Sequence, residues 1–298
     1  MAGQKRRLIA LRSGGRTLTL NVPGGMAPLM PRLAQRLPDA VVEPVPPHAE
    51  ARALRVPDGL TAEDLRRWLG AQLHRLHLER DVLCVHAVCL QPADGERAVV
   101  LLGGHGAGKS LVALGLVGRG WRVLAGDVAL VHGSGCGAAV VGGSAAFMVR
   151  RVPVRRWFPE LGLDAAGPPV IDLGLREELT VVAPAEPVPV AAVVLVDVDG
   201  DPAGAVGAVR RVDTHTTATV WLRASGHLLD RVLENAEGPA LREVENAAAL
   251  RGRLSLVRSL ANAVPMRTMW GAPQGIATRV EHAVTTRRIS GSATGVRS

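Results

Sequence analysis

Lys109 stands in Gly103-Gly104-His105-Gly106-Ala107-Gly108-Lys109-Ser110, a full match to the pattern G-x-x-x-x-G-K-[ST]. It and Lys5 are the only lysines in a chain with 35 Lys+Arg, so arginine holds nearly every other basic position. The exception has a physical reason. A loop that cradles phosphates needs a compact charge on a flexible stem to reach between the β- and γ-phosphates, and arginine's planar fork does not thread such a loop. The expected ligand is a nucleoside triphosphate, accompanied by Mg²⁺ on the Ser110 hydroxyl. A second, acidic metal partner is then required. Asp127, shortly downstream, and Asp197, at the end of the apolar run Val193-Val194-Leu195-Val196, both qualify.

Several elements must hold these groups. Residues 82–90 read as one buried strand, and Ala98–Leu102 as a second that runs into the glycine loop. Ser110–Val117 follows as a helix ended by Gly118 and Gly120, and Trp121–Ala125 is a strand that delivers Gly126-Asp127. Strand, loop and helix in that order aim loop amides and a helix N-terminus at the phosphates. Upstream, two short strands (7–12 and 16–22) flank Ser13-Gly14-Gly15 as a hairpin. A helix over Met26–Arg36, a connector with Pro44, Pro46 and Pro47, a strand at Ala51–Val56 and a helix opened by Thr61 complete a small α/β region. Thr61 is its N-cap, Glu63 and Asp64 suit its positive end, and Leu65, Trp68, Leu69, Leu73 and Leu76 form its apolar stripe. This reading divides the chain into residues 1–80, a nucleotide-binding domain over 81–285 and a polar, mobile tail over 286–298.

The run from His86-Ala87-Val88 through Val99–Gly103, the loop, and Arg119-Gly120-Trp121 to Ala125-Gly126-Asp127 resembles the catalytic domain of HPr kinase/phosphorylase. That family shows a histidine ahead of an apolar strand, the glycine loop, a helix ending in Arg-Gly, and a strand ending in Ala-Asp-Asp. Order and spacing agree over residues 82–131, and Pro187–Leu195 and Ala263–Arg267 are similar to core segments of stand-alone relatives. The resemblance implies a phosphoenolpyruvate-carboxykinase-like P-loop fold, an α/β architecture with a mixed sheet and flanking helices. It implies ATP-dependent phosphoryl transfer to a serine-type hydroxyl on a protein, peptide or small molecule. Asp127 would be the base or metal partner, and His86 would tune or relay its charge. The chain departs from the family in three places: the Asp pair becomes Gly126-Asp127, His105 replaces a small polar loop residue, and the later acidic R-G-[LV]-G segment has no match. Two alternatives follow, a catalytically reduced ATP-binding regulatory protein and an ordinary P-loop ATPase that uses Asp197.

Composition limits other readings. With 47% hydrophobic residues, no Tyr and two Phe, the core must be Leu, Val and Ala. The net charge of +8 is spread along the chain and the aromatics form no stacking pattern, so nucleic acid is not an expected partner. No run approaches a membrane span, and a cytoplasmic protein is the expectation; an oligomer stays open. Cys84, Cys89 and Cys136 read as free thiols. His74 and His77 lack a third ligand for zinc, and His215, His227 and His282 read as isolated surface or cap residues. Arg150, Arg151, Arg155 and Arg156 are either a phosphate clamp or an exposed basic face. Phe147, Trp157 and Phe158 line the core or a pocket.

Overall fold

The computed structural model describes residues 5–45, 49–134, 137–199, 209–235 and 238–291. Pro46, Pro47, Cys136 and the end of the expected tail (292–298) lie outside the described residues. Strands β1 (Arg6–Ser13) and β2 (Arg16–Pro23) form the expected antiparallel hairpin, turned by Gly14 and Gly15 at positive φ. The helix expected over Met26–Arg36 is shorter. A 3₁₀ turn at Ala27–Leu29 leads into α1 (Met30–Ala34), because Pro28 and Pro31 remove amide donors that a longer helix needs. β3 (Ala40–Glu43) pairs with β1, and β4 (Leu54–Arg55) with β2. The expected strand over 51–56 is reduced to β4, since the chain coils through a 3₁₀ turn at Ala49–Arg52.

Helix α2 (Ala62–Leu78) starts as expected, with the Thr61 hydroxyl accepting from the Asp64 amide at 3.1 Å. Its stripe, Leu65, Trp68, Leu69 and Leu73, is buried with Leu11 and Leu20 of the hairpin. Leu229, Leu233 and Leu241, far later in sequence, complete that core. The N-terminal layer is thereby tied to the rest of the chain through shared apolar burial.

The run expected as one strand over 82–90 divides into β5 (Val82–His86) and β6 (Val88–Pro92). Ala87 leaves the ladder between them and donates its N–H to the Asp127 carbonyl at 3.1 Å. After β7 (Ala98–Leu102) and the glycine loop comes α3 (Lys109–Val117), then β8 (Trp121–Ala125), β9 (Val128–Ser134) and β10 (Gly137–Gly143). β11 (Met148–Arg150), α4 (Arg151–Trp157) and β12 (Val170–Asp172) form a small flap. β13 (Val188–Val198), β14 (Val209–Arg211), α5 (Thr214–Gly226), α6 (Ala247–Ala263), β15 (Met266–Gly271) and α7 (Pro273–Gly291) follow. The large sheet runs β5-β9-β10-β13-β7-β6-β8, with β15 beside β13 and β14 at its edge. β7, β13 and β15 are parallel and the other pairings antiparallel, so the sheet is mixed. α7 runs on through Gly291, into the segment expected to be a tail.

Period-two alternation places this sheet between two helix layers. Val99, Leu101, Val194 and Val196 pack with α3 and α7; Val100, Leu102 and Val193 pack with Trp221 of α5 and Leu256 and Leu260 of α6. Cys84 and Cys89 are buried free thiols, and burial pushes both upward in pKa. Phe147, Trp157 and Phe158 belong to the core on the α3 side. No helix among the described residues is long and apolar enough to cross a membrane.

Candidate functional site

The glycines of the loop have steric reasons. Gly103 has φ +154°, and a Cβ there would lie 2.9 Å from the Val196 carbonyl. Gly108 has φ +89° and backs onto Val198, whose Cγ2 would lie 2.3 Å from an added Cβ. The Ala107 carbonyl accepts from the Val198 amide at 2.9 Å, which anchors the loop to the end of β13. Gly104 has no atom within 4 Å of an added Cβ, so the loop's outer side is open. Ala107 and Gly106 complete it, and His105 is exposed.

Lys109 opens α3 with its side chain buried. Its ammonium donates to the Gly103 and Gly104 carbonyls, at 3.0 and 3.2 Å, and to His86 Nε2 at 2.9 Å. An ammonium has only donors, so Nε2 of His86 accepts and the ring proton sits on Nδ1. That nitrogen faces Asp127 Oδ1 in a long contact of 3.4 Å, with no formed hydrogen bond. Burial pushes Lys109 down to about 8, partly opposed by the Asp127 charge. For Asp127, burial works to raise the pKa, but the interaction with His86 and the charges of Arg66 and Lys109 outweigh it. The carboxyl is held below the usual carboxylate range. Lysine, histidine and aspartate thus form one row from the loop to the bend between β8 and β9.

Further atoms hold Asp127. The buried Ser144 hydroxyl oxygen accepts from the Asp127 and Val128 amides, both at 3.1 Å. Gly126 approaches the Ala146 carbonyl so closely that an added Cβ would lie 2.2 Å from its oxygen. No side chain fits there, so packing confines the bend to the single carboxylate of Asp127. His227, read as isolated, stacks on His86 with ring centroids 4.1 Å apart and planes 20° apart. It does cap α5, but a tertiary contact makes it part of this row. Sequence spacing carries no signal for that stack, nor for Ser144.

A cavity of about 230 Å³ lies over the loop, and His86, His105, Lys109, Ser110, Asp127 and Arg150 all line it. The Ser110 hydroxyl donates to the Met148 carbonyl in the cavity wall at 3.1 Å. Of the four arginines in doubt, Arg150 faces the loop. Arg151 instead donates to the Asp164 and Pro168 carbonyls, and the Arg156 guanidinium lies 5.2 Å from the Trp157 ring centre. Asp197 is exposed on the α5/α6 face of the sheet and does not line the cavity. His74 and His77 are buried on α2; Nε2 of His77 lies 2.8 Å from the Ser13 hydroxyl. The open glycine rim, the buried ammonium and Arg150 fit a chain of phosphates. Ser110 and Asp127 fit Mg²⁺ held chiefly through phosphate oxygens and water, as that ion prefers.

No protein-family model matches the chain. A search of curated proteins finds no match. Among solved structures, the chain is similar to the HPr(Ser) kinase/phosphatase from Coxiella burnetii, at 12% identity and a TM-score of 0.34, covering 70% of this chain and 98% of that one. At that level of superposition the likeness decides nothing about function, which rests on the site itself.

Proposed function

We propose that this chain is an ATP-dependent kinase of the HPr-kinase-like kind that transfers the terminal phosphoryl group to a hydroxyl on a protein, peptide or small molecule. The observation that carries it is that Lys109 and Asp127 line one cavity with His86 between them. Lys109, the loop amides and Arg150 spread the charge of the phosphates. Asp127, kept ionised, accepts the proton of the acceptor hydroxyl as that oxygen bonds to the terminal phosphorus and the bond to the departing diphosphate breaks. His86 offers its Nδ1 proton side to that carboxylate and orients it. When bound, Mg²⁺ supplies additional charge neutralisation at the phosphates, with Ser110 and Asp127 as its protein partners.

The test is incubation of the purified chain with ATP–Mg²⁺ and a panel of hydroxyl acceptors, read by mass spectrometry for a phosphate adduct. Adduct from the wild type and none from Lys109→Ala supports the reading. Nucleotide binding without adduct on any acceptor would favour the regulatory alternative, for which the lone carboxylate beside Gly126 is the specific observation. The ATPase reading through Asp197 has no such support, because that side chain is on the other face of the sheet.

A further inference from the structure

We propose that the arginine-lined recess behind Asp127 is the acceptor subsite and takes a carboxylate carried by the hydroxyl-bearing substrate; this rests on the phosphoryl-transfer reading above. Asp127 lines two cavities. One is the loop cavity; the other is a recess of about 20 Å³ walled by Arg36, Arg66, Arg67, His227 and Arg231. The arginines come from both parts of the chain: three from the N-terminal layer and Arg231 from the segment after α5.

Their charges are unevenly answered. Glu63 pairs with Arg36 at 3.3 Å and Arg66 at 2.5 Å, and Asp64 is 3.3 Å from Arg67. Asp64 is already occupied, since its oxygens accept from the Glu234 and Asn235 amides. Arg67 is also shared by Glu63, 3.7 Å from its Nε, and by Glu234 at 3.5 Å, although that buried Nε makes no hydrogen bond. Arg231 makes no ion pair among the described residues, and its guanidinium donates to His227 Nε2 at 2.8 Å. His227 adds no charge, because burial and the nearby His86 and Arg231 push its pKa down to about 3. Arg231 is therefore the guanidinium of the recess left without an ion-pair carboxylate among the described residues.

Size narrows the ligand. About 20 Å³ exceeds the ~10–15 Å³ that one water needs, yet is an order smaller than the loop cavity. At little more than one water's volume the recess admits only a small anionic head, and a carboxylate suits the fork geometry of arginine. Seated there, the acid would bring a hydroxyl a few bonds away to Asp127, opposite the phosphates. The N-terminal layer would then select the acceptor.

Two measurements test this on the full chain. Acetate and inorganic phosphate are titrated separately, followed by NMR at the His227 ring signals. Acetate should shift them saturably, and Arg231→Gln should weaken that binding by about tenfold or more while Arg231→Lys, which keeps the charge and checks the fold, retains part of it. No acetate effect at His227, an unchanged affinity in Arg231→Gln, or a phosphate response that Arg231→Gln weakens as much as the acetate response would overturn the proposal. In the second measurement, glycerate should exceed glycerol as acceptor in kcat/KM by about tenfold or more, and Arg231→Gln should erase the advantage. Equal use of the two by the wild type would also overturn it. Should the wild type phosphorylate no acceptor at all, the transfer reading fails, and the acetate titration still decides what the recess binds.

Discussion

Two apolar strands of this chain deliver an aspartate, and the two ends differ in what surrounds it. β8 hands over to Gly126-Asp127 in a bend whose amides are held by Ser144 and whose carboxylate faces His86 and Lys109. β13 carries Asp197 within a ladder, paired in register with Trp270, while its neighbours Val196 and Val198 back the glycine loop. Alternation sends Asp197 to the opposite face. An apolar strand ending in Asp is thus the same local signal in both places; the bend, which frees the first side chain from alternation, makes the difference.

That contrast can be broken or sharpened by substitution. The largest effect belongs to Lys109→Ala, which removes charge-assisted hydrogen bonds to phosphate worth ~1.5–3 kcal/mol each. Triphosphate affinity by calorimetry should fall on the order of 1000-fold, whereas removing the Asp197 charge on the opposite face of β13 should leave it intact. Next comes Gly126→Asp, which would set a second carboxylate beside Asp127. The Ala146 carbonyl leaves no room, so stability in denaturant titration should drop by about 3 kcal/mol, with no gain in activity. A smaller effect is set by pH. Burial pushes Lys109 down to about 8, and bound phosphate favours its charged form. Affinity should be flat below pH 8 and weaken by up to about tenfold per unit above it; a flat profile to pH 10 would mean that the ammonium is not what phosphate meets. Smallest of all, Asp197→Asn should change affinity by less than about twofold, as expected of an exposed surface side chain.

Much of this was legible in the residues. The loop, its flanking strand and helix, the N-cap of α2 and the hairpin at Gly14-Gly15 follow from local rules of glycine, capping and alternation, and the chain folds them so. What local rules cannot see is closure through space. Ala87 looks like one more apolar strand residue, yet its amide turns to Asp127 and splits the strand in two. His227 has no partner within reach in sequence, and its stack on His86 exists only because α5 ends beside β5. Arg66 and Arg67 carry no local sign of a role, and the core shared with Leu229 and Leu233 brings them against the site. Nor does any local rule show that the approach of the Ala146 carbonyl leaves room only for glycine at position 126.

The most direct test sets the two aspartates side by side: phosphate transfer to an acceptor and nucleotide affinity, measured together for Asp127→Asn and Asp197→Asn. Removing the proton-accepting carboxylate should lower turnover by ~10²–10⁴-fold in Asp127→Asn while most nucleotide affinity is kept, and Asp197→Asn should match the wild type in both. Turnover that survives in Asp127→Asn, or that is lost in Asp197→Asn, would contradict the assignment of the site.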